Sequence, residues 1–280
     1  MPDRLDVRKT YKLVVNGAFP RSESGRSYEV TTADGVFWAN VAQGSRKDLR
    51  DAVVAARAAQ AKWWASSAYN RGQVLYRLAE MAESRAGELA EHVGSAEGVD
   101  AAAAASTVGR AIDRIVWYAG WTDKITQIMG GANPVAGPFF NFSLPVPSGV
   151  VGVIAPSASS LVGFVDAVLA PICAGNAVVA IPSEARPTPA LLLGEMTATA
   201  DVPGGVLNIV PGRTGELAPV LAAHEDVDGL DVAEVADADE LAVLGARSIK
   251  RVLRGRDGDL ALARLRAFIE TSTVWHTIGQ

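Results

Sequence analysis

The fold class expected from the sequence is α/β, a Rossmann-like, doubly wound parallel sheet. Three observations lead there. Pro147 to Glu184 reads strand, turn, helix, strand. Its two strand segments are short, apolar and rich in β-branched residues, as strands buried on both faces are. Further strand and helix patterns alternate after it.

Val150 to Ile154 is the first strand of that unit. Pro156 and the serines Ser157, Ser159 and Ser160 break it. Leu161 to Cys173 is the crossover helix, with Val165, Val168, Leu169 and Ile172 on one face. Gly175 ends it, in the left-handed conformation that glycine adopts without penalty. Ala177 to Ile181 is the second strand. Such a unit is right-handed and belongs to a parallel sheet. Ligands of these sheets bind beyond the carboxyl ends of the strands. Here those ends are Ala155 to Ala158 and Pro182 to Glu184.

Composition bounds the rest. The 280 residues are 49% apolar and 20% charged, enough for a full core. A net charge of -5 weighs against nucleic acid or an anionic membrane as a partner. One cysteine excludes an internal disulfide and suits a reducing compartment. The opening MPDRLDVRKT has no apolar signal segment, and no stretch is apolar for the roughly 20 residues of a membrane helix. The expectation is a soluble, cytoplasmic protein.

Taken in order, the chain opens with an arm. Tyr11 to Asn16 is a strand, Asn16-Gly17 a hairpin turn, and Glu23-Ser24-Gly25 a second turn. Three helices follow. Ser45 and Asp48 form a capping box for the first, which carries Leu49, Val53, Ala56 and Trp63 inward. Asn70 caps the second, lined by Leu75, Leu78, Ala82 and Leu89. The third runs from about Ala101 to Met129, with Ile112, Ile115, Val116, Ala119 and Ile125 facing inward. All three are expected on one face of the sheet. Gly130, Gly131 and Pro134 stop the third. Pro138 to Pro147 is apolar and interrupted by prolines, which marks a small outlying hairpin.

After the βαβ unit, Thr188 caps a helix with Pro189 at its first turn. Val206 to Val210 and Gly229 to Val235 are strands, Gly215 to Ala223 and Asp239 to Leu253 helices. A polar break at residues 254–259 precedes a short helix, Leu260 to Phe268. Ile269 to Ile278 is a last strand. The division is one domain over residues 1–253, with the hairpin at 138–147, and a terminal unit over 254–280.

The order of these motifs resembles the cofactor-binding half of the aldehyde dehydrogenase superfamily. The matching residues are P-x-G-V-V-G-V-I-A-P at 147–156, A-G-N-x-V-V at 174–179, P-S-E at 182–184, Pro187, and V-P-G-G-V-x-N-I-V-P-G at 202–212. The likeness covers roughly Tyr11 to Asp231. It implies NAD as the candidate cofactor, with Glu184 toward the ribose and Ser183 and Pro156 beside it. It also implies a small β oligomerisation element, built from the hairpin and the terminal strand.

In that family a cysteine attacks the aldehyde, hydride passes to the nicotinamide, and a glutamate helps hydrolyse the thioester. Those residues belong to a catalytic domain. Its E-L-G-G, G-Q-x-C and E-x-F-G-P motifs are absent here. The resemblance thus implies a truncated member without the catalytic domain and cysteine. Other positions depart too. Ala158 stands where the family has an asparagine for the oxyanion, and a methyl cannot donate a hydrogen bond. Ile181 replaces a ribose-contacting lysine. Glu234 replaces a glycine near the pyrophosphate, adding bulk and negative charge.

The remaining candidates have plain readings. Cys173 has no His or cation beside it in sequence and reads as a buried thiol. Ser157, Ser159 and Ser160 are helix caps, or else an anion site at a helix start. His92, His224 and His276 lie in unrelated segments; His224 reads as a dipole partner at a helix end. Trp63, Trp64, Trp117 and Trp121 pack. No catalytic residue and no metal site is assigned. The expected role is a structural or regulatory partner of a full-length aldehyde dehydrogenase, or of its own kind, through Ile269 to Ile278 and Phe139 to Val146. The other reading is an oxidoreductase component that binds NAD and completes a composite site. A third is a stand-alone anion binder at the 157–160 helix start.

Overall fold

The structure is a computed structural model that describes residues 7–255 and 260–278. β1 (Thr10–Tyr11), β2 (Ser27–Thr31) and β3 (Phe37–Ala42) form the arm, in the order β1-β3-β2. Asn16 and Gly17 have φ of 53° and 72°, the hairpin turn that the Asn-Gly pair predicts. The strand expected over Tyr11 to Asn16 pairs with the arm only at its start. Val14 bridges instead to Ile209, so the arm is stitched to the main sheet. β3 is the centre of the arm although its Ala and Asn content gives a weak strand pattern.

Five helices follow: α1 (Arg46–Ala65), α2 (Ala68–Ser84), α3 (Ala86–Glu97), α4 (Ala101–Trp121) and α5 (Ile125–Met129). The Ser45–Asp48 capping box is present. Asn70 is not a cap: Ser67 accepts its N–H at 3.2 Å, so the helix begins earlier. The expected second helix is broken at Arg85 into α2 and α3, and the third is broken after Trp121. Ile115, Ala119 and Ile125 are buried, but Val116 faces outward. The helices are also divided between faces. α1 packs with α8 against one side of the sheet, while α2, α3 and α4 share the other side with α6 and α7.

β4 (Gly131–Asn133) and β5 (Phe139–Pro147) come next. The hairpin expected within 138–147 is instead β4 with β5, so those residues supply one arm of it. The main sheet is then built from β6 (Val150–Ile154), α6 (Val162–Cys173), β7 (Ala177–Ile181), α7 (Thr188–Thr197), β8 (Leu207–Ile209), α8 (Thr214–Ala223), β9 (Gly229–Asp231), α9 (Ala238–Ala246) and β10 (Arg251–Leu253). All neighbours are parallel, in the order β10-β9-β6-β7-β8. Chain direction across the sheet reverses between β6 and β9, the switch point of a doubly wound fold.

Three boundaries differ from the sequence reading. Thr188 is the first residue of α7 rather than its cap, which is Pro187. β9 stops at Asp231, short of Val235. The helix expected through Leu253 ends at Ala246, and residues 251–253 form β10 beside β9. Ile249, within that expected helix, has φ 56° and is 93% exposed. A three-residue strand is too short for its periodicity to separate from that of a helix.

α10 (Leu260–Ala267) and β11 (Ile269–Thr277) close the chain. α10 packs on α6. β11 pairs antiparallel with β5 over its whole length, giving the order β11-β5-β4. The terminal strand thus finds its first partner in its own chain. Phe268 anchors the junction: a Cβ on Gly229 would meet its ring at 2.5 Å. Asn176 donates to the Phe268 carbonyl at 3.0 Å and accepts the Gly149 N–H at 2.8 Å. The A-G-N motif therefore ties α6, β6 and the tail together. Residues 256–259 of the expected polar break lie outside the described residues. Among those described, no helix is long and apolar enough to cross a membrane.

Candidate functional site at the switch point

The crevice that a dinucleotide would enter lies beyond the carboxyl ends of β6 and β9. Residues 155–160 bound it on one side and residues 232–235 on the other. Residues 182–184 extend it past β7.

On the β6 side, Pro156 is buried against α6, where a Cβ on Gly163 would meet its ring at 2.6 Å. Ser157 and Ala158 are exposed. Ser159 Oγ accepts the Gly163 N–H at 2.9 Å from two residues before the N-cap position, which is Leu161. Ser160 is different. Its N–H and Oγ both donate to Glu97 Oε1, at 2.8 and 2.7 Å. The start of α6 is thus already served by a carboxylate of the same chain. The anion site expected at the serines is filled from α3.

At the end of β7, Ser183 is buried and its hydroxyl accepts the Arg186 N–H at 3.3 Å. Ile181 is wholly buried in the sheet. Glu184 accepts from Arg213 at 2.6 Å and from the Thr214 N–H at 2.9 Å, the first residue of α8. Its side chain is 35% exposed. The Arg213 guanidinium also lies over the Tyr28 ring, 5.2 Å from its centre. Burial, then the Glu184 charge, holds the Tyr28 hydroxyl well above the usual phenol range.

The β9 side holds a buried ion cluster. Arg264 of α10 donates to Asp231 at 2.6 Å and to Glu234 at 3.1 Å. Asp231 also accepts the Ala233 N–H at 3.1 Å. Burial pushes the Asp231 carboxyl upward, and the guanidinium opposes it. Burial works against the Arg264 charge too, but the two carboxylates outweigh it and raise its pKa. Glu234 was expected to face phosphates as an unrelieved charge. It is instead joined to Arg264. Glu234 still adds a side chain beside this approach, but its charge is offset by Arg264.

Sequence reasoning missed Arg264. One signal was available: Asp231 ends an apolar strand and needs a cation.

The single thiol is remote from this chemistry. Cys173 is fully buried and donates to the Tyr118 carbonyl at 3.1 Å. Burial holds it far above the usual thiol range, so it is not a thiolate. The histidines are not brought together. His92 packs edge-on against Tyr11 and Trp38. His224 caps α8, but its Nδ1 accepts the Asp226 N–H at 3.2 Å. Burial lowers its pKa, so it serves as a neutral turn acceptor rather than as a charged dipole partner. His276 lies exposed on β11. Trp63 is buried and donates to the Ile172 carbonyl at 2.8 Å. Among the described residues no group of His, Cys, Asp and Glu could hold a metal ion.

A dinucleotide would meet, past β7, an acid already bonded to Arg213 and the Thr214 N–H. On the other side it would meet Glu97 on the α6 start and the Arg264-paired carboxylates after β9. The residues fit NAD in part only.

Comparison with known proteins agrees with the fold. The aldehyde dehydrogenase family profile matches residues 19–252. Aldehyde dehydrogenase 1A1 of Gallus gallus is 33% identical over 90% of this chain and 51% of its own length. Cytosolic 10-formyltetrahydrofolate dehydrogenase of Xenopus tropicalis is 33% identical over 80% of this chain and 26% of its own. Among solved structures, the NAD+ complex of an aldehyde dehydrogenase from Bacillus cereus superposes with a TM-score of 0.81 at 27% identity, covering 87% of this chain and 50% of that one. The NAD-dependent aldehyde dehydrogenase of Sinorhizobium meliloti gives 0.82 at 27%, with 88% and 50% covered. The chain spans about half the length of the first of these relatives and of both structures. It belongs to the aldehyde dehydrogenase family.

Proposed function

We propose that the chain is a non-catalytic structural or regulatory partner of a full-length NAD(P)-dependent aldehyde dehydrogenase. The observation that carries this reading is the outer edge of β11. Its inner edge is held by β5, and it ends its sheet. Around it, Phe140 is 49% exposed, Trp275 63% and Ile278 54%. An open edge beside exposed aromatic residues recruits a further strand. The crevice supports the non-catalytic part. Its family oxyanion position is the methyl of Ala158, and the chain's only thiol lies in the core.

A second reading has its own support. Glu184 sits at the end of β7, where an acid meets a ribose. The chain would then bind NAD and complete a composite site with its partner.

The test mixes the chain with a full-length aldehyde dehydrogenase from the same organism. Light scattering and co-purification report assembly. Trp275→Asp should abolish the complex and lower the stability in urea by no more than about 1.5 kcal/mol, the worth of its ring contact with Phe139. Assembly that survives Trp275→Asp, or failure of the parent chain to assemble at all, overturns the reading. Calorimetric titration of NAD decides the second reading: micromolar binding favours it, and no heat removes it.

A further inference from the structure

A second site stands on the arm, independent of the assembly reading. Lys12, Arg21 and Arg26 converge on a cavity of about 220 Å³, with the hydroxyls of Thr10 and Ser27. No carboxylate lines it. None of the three cations has an ion pair among the described residues. Arg26 Nε makes only a long contact to Ser24 Oγ, at 3.4 Å. In a chain of net charge -5, this concentrates positive potential on one concave spot.

Of the nearby acids, Glu29 follows Ser27 on the same face of β2 without lining the cavity, and Asp48 and Glu23 are occupied elsewhere. Asp48 is buried and accepts from Ser22 Oγ at 2.7 Å, the Glu23 N–H at 3.1 Å and the Ser45 N–H at 2.8 Å. Glu23 accepts from Ser45 Oγ at 3.0 Å. These bonds also pin the turn between the two arginines, which closes with the Gly25 N–H on the Ser22 carbonyl at 2.9 Å. Ser27 stands opposite Ala42 in the β2–β3 register, and both line the cavity. Tyr28, the next residue, points to the other face of β2, toward Arg213 and Glu184. The cavity is therefore separate from the crevice.

We propose that this cavity binds a pyrophosphoryl group, free or carried by a small nucleotide. Arginine forks match phosphate oxygens in pairs, and three cations balance a charge of about -3. The volume is below the roughly 300 Å³ at which pockets for larger organic ligands begin.

Calorimetry at fixed ionic strength is the test, with inorganic pyrophosphate, ADP and adenosine as titrants. Pyrophosphate should bind and adenosine should not; ADP binding as well identifies the carried form, and its absence the free ion. The double variant Arg21→Gln with Arg26→Gln should weaken pyrophosphate at least about tenfold, with an unchanged urea midpoint. No heat from pyrophosphate, equal competition by sulfate, or unchanged affinity in the double variant overturns the proposal.

Discussion

Two carboxylates stand at the carboxyl edge of the parallel sheet, and each meets an arginine at 2.6 Å: Glu184 with Arg213, and Asp231 with Arg264. The distances match and the surroundings do not. The Arg213 and Glu184 side chains are 47% and 35% exposed, whereas Arg264 and Asp231 are 2% and 1% exposed. At the surface, water solvates each charge whether or not the other is present. In the interior, each ion has lost its hydration and depends on its partner. Contact distance therefore says little about energy here. Burial decides it.

The largest effect should come from breaking the buried pair. Among the described residues, Arg264→Leu leaves the buried Asp231 carboxylate with the Ala233 N–H alone. We expect a loss of about 3–5 kcal/mol in urea unfolding, because an uncompensated interior charge remains. Pairing Arg264→Leu with Asp231→Leu should recover most of that loss, since the second change removes the more deeply buried of the two carboxylates that Arg264 meets. The two substitutions are then strongly non-additive. A loss under about 1 kcal/mol for Arg264→Leu would make the two pairs equivalent and end the comparison.

His92 sharpens the contrast as a buried group that avoids charge altogether. Its Nε2 lies 3.0 Å from the Tyr11 hydroxyl, and its buried Nδ1 has no hydrogen-bond partner among the described residues. Burial lowers its pKa to about 4, with Glu88 opposing and Lys9 and Arg85 assisting. The folded chain thus keeps it neutral where the unfolded chain protonates it, from about pH 6.5 downward. Its contribution is complete above pH 6.5 and is lost as pH falls toward 4. The loss should approach about 3 kcal/mol. Urea midpoints of the parent chain and of His92→Gln, measured across that window, should converge as pH falls. Parallel curves would mean that His92 titrates normally.

The difference between the two pairs also separates what the sequence discloses from what it hides. The β6–α6–β7 unit was legible because its strands are wholly apolar and its helix is closed by Gly175. Glu184 was legible for the same reason: it follows a strand whose end could be read. Arg264 was not. It lies 33 residues from Asp231, and nothing local in Leu260–Ala267 distinguishes an interior arginine from a solvated one. Glu97 was hidden likewise, 63 residues from the Ser160 it serves. The break at Arg85 and the strand β10 were missed for a different reason. Glycine is nearby in both cases, Gly87 after the break and Gly245 before the strand, but not at the boundary itself, and tertiary packing overrides a weak local preference.

The smallest effect belongs to the exposed pair. Glu184→Gln keeps an acceptor for the Thr214 N–H and removes only the charge. Two contributions disappear: the ion pair with Arg213 and the attraction to the positive end of α8. Both act close to water. Their sum should be at most about 1 kcal/mol in urea unfolding. It should shrink further in about 1 M salt, where the screening length falls to about 3 Å. The Arg264→Leu deficit should hardly respond to salt, because ions do not reach a pair that water does not reach. Glu184→Gln therefore tests the comparison from its weak side. Were it as costly as Arg264→Leu, or as indifferent to salt, the Glu184 carboxylate would be acting as an interior charge despite its exposure.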